Sequence, residues 1–219
     1  MSNSAPDSGD GIRTTRRGQA KAARRAELIS AAARQMAERG FAAVRLEDIG
    51  AEVGVSGPAM YRHFSSKTDL LDQLLLDISE RLRNGGDEVA DAGGPPRQVL
   101  LALIGFHIDV LVTKPDLIAV QDRDLGSLTP EANRRVRSLQ RHYVERWVSV
   151  LEQAAAEAGR PLDTAEARVR VHAVFGLLNS SHRLPPYPQD RLRVLLTEMA
   201  MGALLSGPDA ADPAGPWNA

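Results

Sequence analysis

Arg45-Leu46-Glu47-Asp48-Ile49-Gly50-Ala51-Glu52-Val53-Gly54-Val55-Ser56-Gly57-Pro58-Ala59-Met60-Tyr61-Arg62-His63-Phe64 has the spacing of two short helices joined by a tight turn, a helix-turn-helix. Ile49 and Val53 are four apart on the first helix, and Met60 and Phe64 are four apart on the second, so each pair shares a face and the two faces meet. Gly54 stands where the turn needs a residue that accepts positive φ. Gly50, one turn earlier, is small where the helices cross closely, and Val55 fills the space beneath the turn. Ser56 suits the N-cap of the second helix, and Pro58 falls in its first turn, where a missing N–H costs nothing.

With Met60 and Phe64 inward, Gly57, Pro58, Ala59, Tyr61, Arg62 and His63 face outward. Residues without bulk at the start of that helix permit close approach to a major groove and apolar contact with thymine methyls. Arg62 can donate two hydrogen bonds to a guanine, or lie exposed without touching a base. Tyr61, His63 and Lys67 carry donors suited to phosphates. Charge agrees with a polyanionic partner at this end. From Gly11 to Lys67 there are eleven basic and five acidic residues, so the rest of a chain with formal net charge -1 carries -7. The basic run from Arg13 to Arg25 can follow the DNA backbone or enter the minor groove.

Working outward, Ala22, Ala26, Ile29, Ala33 and Met36 recur at spacings of three and four, predicting an amphipathic helix that stops at Gly40. Ser66 can cap a further helix running from Lys67 to about Arg83, with Leu70, Leu71, Leu74 and Ile78 on one side. Paired glycines and prolines over Asn84-Gly85-Gly86 to Gly93-Gly94-Pro95-Pro96 mark a boundary. Five helices are predicted beyond it, at 96–113, 116–126, 130–158, 163–184 and 189–206, and Asp163 with Glu166 has the spacing of a capping box. Few aromatics and no alternating pattern predict an all-α chain. Its expected divisions are a disordered arm (1–15), a DNA-binding head (16–65), a connecting helix (66–84), a larger helical domain (95–206) and a flexible tail (207–219).

Gly40-Phe41, Ile49, Gly54-Val55-Ser56, Met60-Tyr61-Arg62-His63-Phe64, Ser66-Lys67 and Leu70-Leu71 together resemble the N-terminal signature of the TetR/AcrR family, over about residues 22–72. The resemblance implies a three-helix DNA-binding head and a divergent helical ligand-binding body. It also implies homodimerisation through the last two long helices, and repression of transcription relieved by a small ligand. Three positions depart from the pattern: Arg45 stands for a usual Thr or Ser, and Gly50 and Val53 each for a usual Ala. Arg45 forgoes a side-chain cap and offers a charged phosphate contact instead. The expected DNA contacts are therefore Arg45, Ser56, Gly57, Pro58, Ala59, Tyr61, Arg62, His63 and Lys67.

The remainder of the chain holds no Gly-rich phosphate loop, no Gly-flanked nucleophilic serine and no histidine pair at metal spacing on one helix. Catalysis, a metal and a cofactor are not expected. The absence of cysteine excludes disulfides and zinc-thiolate sites, and with no signal-like or membrane-length apolar run a cytoplasmic protein without a membrane partner is expected. Polar groups enter the apolar stripes at His172, Phe175 and Asn179, at Tyr143 and Trp147, and at Phe106, His107 and Val110. Such a mixture suits a pocket for a small effector, apolar or acyl-coenzyme-A-like, and equally suits core packing or a subunit interface. Gln121, Arg123 and Asp124 either bind a polar part of that effector or are surface charges. Leu192, Leu195, Leu196, Met199 and Ala203 make the final helix a candidate for half of a four-helix dimer interface, a core helix being the alternative. The function expected is a ligand-controlled repressor binding a palindromic operator as a dimer. The alternatives are an activator of the same fold, or a helical enzyme or carrier with an appended head.

Overall fold

The computed structural model describes residues 16–206, with side-chain surroundings from residue 18 onward. The arm to residue 15, the tail from 207, and the side chains of Arg16 and Arg17 lie outside the described residues. Within them the chain is helical without a strand, as the composition predicts. A head is made by α1 (Arg16–Arg39), α2 (Leu46–Glu52) and α3 (Gly57–Met60). The long α4 (Lys67–Asp91) leads into α5 (Pro96–Thr113), α6 (Pro115–Asp124), α7 (Pro130–Glu157), α8 (Thr164–Asn179) and α9 (Gln189–Leu205).

Prolines set the starts of α5, α6 and α7, each within the first turn, where the ring fixes φ and the lost N–H has no intrahelical acceptor. Hydroxyl and carboxylate caps add to them: Ser66 Oγ accepts from Asp69 N at 3.0 Å, Thr129 Oγ1 from Ala132 N at 3.3 Å, and Asp163 Oδ1 from Glu166 N at 2.8 Å. At the Ser66 cap, Asp69 also reaches back past the cap residue, accepting from Ser65 N at 2.7 Å. Glu166 turns instead to Arg170, 2.6 Å away.

The expected boundary at Asn84-Gly85-Gly86 is not one. Helix α4 runs through it and ends only at Asp91, before Gly93 and Gly94 with φ of 72° and 113°. The pair is retained because aromatic rings lie against the bare backbone. A Cβ at Gly85 would fall 2.2 Å from the Phe106 ring, and one at Gly86 2.4 Å from the Tyr143 ring. Alanine would gain about 1 kcal/mol of helix propensity there. Displacing a packed ring costs about 1–3 kcal/mol, so glycine is favoured on packing grounds.

One continuous apolar core runs from Leu28 in α1 to Leu204 in α9, so head and body are packed against each other. Helix α7 packs along α4 and α5, α6 lies beside α1, and α8 pairs with α9. The stripe read on α1 is rotated from the observed one. Leu28, Ala31, Ala32 and Met36 are fully buried, whereas Ala22 and Ala26 are exposed and Ile29 is only partly covered. Helix α5 alone among the described helices has the length and hydropathy of a membrane span, and its Leu100, Leu103, Ile104 and Ile108 face is buried in this core.

Candidate DNA-binding face and effector cavity

The turn of the helix-turn-helix is built as its spacing predicts. Gly54 has φ of 72°, and the amide of Val55 donates to Gly50 O at 2.7 Å. A Cβ at Gly50 would lie 2.5 Å from the Val55 carbonyl oxygen and 2.7 Å from Met60 Cγ, so the crossing admits only glycine without movement. Ile49, Met60 and Phe64 are buried, which turns Pro58, Tyr61 and Arg62 to the outside. Helix α3 itself is only one turn long, and its continuation through Phe64 is held by Met60 O, which accepts from His63 N at 2.8 Å and Phe64 N at 3.0 Å.

On this face Arg62 is exposed and makes no hydrogen bond or ion pair with a described residue, while Tyr61 is 53% exposed. Gly57, Ala59 and His63 are partly covered. Tyr61 donates to Glu47 Oε1 at 3.1 Å, and Arg45 Nε is 3.8 Å from Glu47 Oε2. Hydrogen bonds from its own backbone amide, then from Tyr61, hold the Glu47 carboxyl below the usual range, and Glu47 in turn raises the Tyr61 phenol. Glu47 thus ties together two expected DNA contacts, a role its position in the first turn of α2 does not disclose. Its stem also explains Gly57, where a Cβ would come within 3.2 Å of Glu47 Cγ.

Two expectations on this face change. Ser56 sits at the N-cap position with extended backbone, yet its hydroxyl makes no cap bond, and its carbonyl alone engages the helix. Lys67 is drawn inward: its ammonium donates to Phe41 O at 2.8 Å and Ala42 O at 3.0 Å and lies 4.5 Å from the Phe41 ring centre. It ties the α1–α2 loop to the start of α4, and two of its three donors are used there.

In the body, five of the residues singled out converge. The rings of His107, Tyr143, Trp147 and Phe175 lie with centres 4.9–6.0 Å apart, Tyr143 and Phe175 stacked at 12°. Asn179 lies 3.1 Å from His107 Nε2 by its Oδ1, while Phe106 is seated on Gly85 of α4 and shares no ring contact with the cluster. Because Oδ1 only accepts, Nε2 carries the proton and Nδ1 accepts from the Tyr143 hydroxyl at 3.3 Å. Burial lowers the His107 pKa to about 4, with the Asn179 contact acting against it, and burial likewise raises that of Tyr143. The buried Trp147 Nε1 makes no well-formed hydrogen bond.

These rings pack on one another. The open space lies to one side, a cavity of ≈ 210 Å³ lined by His107, Gln121, Gln140 and Asn179 with Leu82, Ile118, Asp122 and Leu125. Gln140 precedes Tyr143 by three residues and Trp147 by seven on α7, a spacing that could have revealed it. Val110 is buried away from the cavity lining, and His172 is exposed on the outer side of α8, so neither borders this space. Arg123 and Asp124 are not a free surface pair. Asp124 is buried, and Arg123 pairs with it while donating to Met36 O and Ala37 O at the end of α1.

Comparison with known proteins agrees with this architecture. Residues 28–74 match the model for bacterial regulatory proteins of the tetR family, and residues 93–183 match the tetracyclin repressor-like C-terminal domain. The HTH-type transcriptional repressor KstR2 of Rhodococcus jostii is 30% identical over 135 residues, spanning 60% of this chain and 65% of that protein. The structure of the ketosteroid transcriptional regulator KstR2 of Mycobacterium tuberculosis superposes with a TM-score of 0.73 at 22% identity, over 84% of this chain and 96% of that one. A TetR-family regulator from Bordetella parapertussis gives 0.74 at 21% identity, over 84% and 94%. With head and body each matched in order along one chain, this protein belongs to the TetR family of bacterial regulatory proteins.

Proposed function

We propose that this protein is a cytoplasmic transcriptional repressor that binds a palindromic operator as a homodimer and is released by a small molecule. The observation that carries the reading is the unengaged, exposed Arg62 beside Tyr61 on a helix-turn-helix whose packing is complete. A rigid scaffold presenting an unpaired guanidinium is what base recognition in a major groove requires. Repression is favoured because the KstR2 relative of R. jostii is named a repressor.

The effector site of this reading is the cavity beside His107 and Asn179. At ≈ 210 Å³ it is below the usual range of drug-sized pockets, so a larger effector, such as an acyl thioester, requires the lining side chains to move apart. Its amide and imidazole lining favours an effector with hydrogen-bonding groups over a purely apolar one.

An operator selected from genomic fragments, with heparin as competitor, tests the assignment. Arg62→Ala should lose preference at one base position, by roughly 1–3 kcal/mol, with little change in the salt dependence. No selected operator at all would overturn the DNA-binding reading. Equal losses on every operator variant would place Arg62 on a phosphate.

A further inference from the structure

A cleft of ≈ 590 Å³ lies between head and body. One wall is the α1 stripe Ala22, Ala26, Ile29 and Ala33, of which Ala22 and Ala26 are exposed, Ile29 is partly covered and Ala33 is buried at the floor. The opposite wall is Arg81 of α4 with Thr113 to Leu117, where α5 gives way to α6. This is the open end of the seam between α1 and α6, which Arg123 closes at the other end.

The charges in the cleft are unevenly answered. Asp77 is paired with Arg25 at 3.2 Å, and Arg34 with Glu52 at 2.5 Å. The side chains of Arg81 and Lys114 have no hydrogen bond or ion pair with any described residue, although both residues line the cleft. Asp116, the remaining carboxylate, stands in the first turn of α6, where the positive end of the helix dipole offsets it. An apolar strip faces two unanswered cations across a volume within the range of small-ligand sites.

We infer that this cleft binds a small amphipathic anion, its apolar part along Ala22, Ala26 and Ile29 and its charged head between Arg81 and Lys114. The site is separate from the cavity beside His107. Because its walls belong to α1 on one side and to the α5–α6 junction on the other, an occupant fixes the head against the body. It therefore binds unequally to any two arrangements of the head, which is the requirement for a regulatory ligand.

Calorimetry on the full chain with decanoate, decanol and decyltrimethylammonium, each below its micelle concentration, tests the site. Decanoate should bind at least tenfold more tightly than the alcohol or the cation. The double variant Arg81→Glu with Lys114→Glu, both exposed and so tolerable to the fold, should lose at least tenfold in decanoate affinity. Bound decanoate should slow amide exchange in residues 22–33 and 113–118. Absence of decanoate binding, equal binding of decanol, or affinity untouched by the double variant would each overturn the proposal.

Discussion

At the scale of single residues, His107 carries a consequence for stability. Buried and neutral in the fold with a pKa near 4, it takes a proton in the unfolded chain at the ordinary value of 6.5. Between those two values the unfolded state binds more protons, so stability is full above pH 6.5, falls as the pH drops, and has lost this contribution by about pH 4. The shift corresponds to roughly 3 kcal/mol. The upper part of the window belongs to histidine, because Glu52, Asp69 and Glu145 are all held below the ordinary carboxylate range and titrate lower. Urea unfolding between pH 7 and 5 should show stability falling with acidification, and the slope should shrink in His107→Gln. The His107 ring signal of the native protein should not titrate above pH 5. A native titration near 6.5 would show that the imidazole is reached by water.

At the scale of elements, the sequence was most informative where chemistry is local and least where it depends on a distant neighbour. Pro96, Pro115 and Pro130, Ser66 and Asp163 announced helix ends through their own backbone and caps. The aromatic and amide residues of the body were legible as a set. Their mutual packing was not, since Gly85 and Gly86 look like a break until Phe106 and Tyr143 are seen resting on them. The partners of Lys67 and Arg123 are hidden for the same reason, being backbone carbonyls that no spacing reveals. Helix α9 shows a subtler case. Its apolar residues divide into two faces, Leu196, Ala200 and Leu204 buried against the body, and Val194, Leu195 and Met199 outward at 44–59% exposure. Alongside exposed Val169 of α8, that outer face is the surface through which the proposed homodimer would form. Leu195→Glu with Met199→Glu should therefore give a folded monomer by sedimentation velocity, with unchanged helical circular dichroism. An intact dimer would exclude this face.

At the scale of the whole molecule, head and body communicate through two kinds of contact. Helix α4 is a continuous rod of 25 residues shared by both, while Arg123 joins α6 to the last turn of α1 through Met36 O and Ala37 O. The guanidinium meets carbonyls at the negative end of the α1 dipole, and Asp124 beside it holds its orientation. Removing it leaves α4 and the apolar packing of α1 on α6 as the restraints, so the head should sample a wider range of positions. The chain has no cysteine, which allows a single label on the exposed Ala51 of α2 without other substitutions. With Ala51→Cys spin-labelled in the dimer, the distance distribution between the two heads should broaden when Arg123→Met is added. Amide exchange should rise at the end of α1 and along α6 while that of α8 and α9 stays the same. A distribution of unchanged width would assign the alignment of the heads to α4 and the α1–α6 packing and reduce Arg123 to a helix cap.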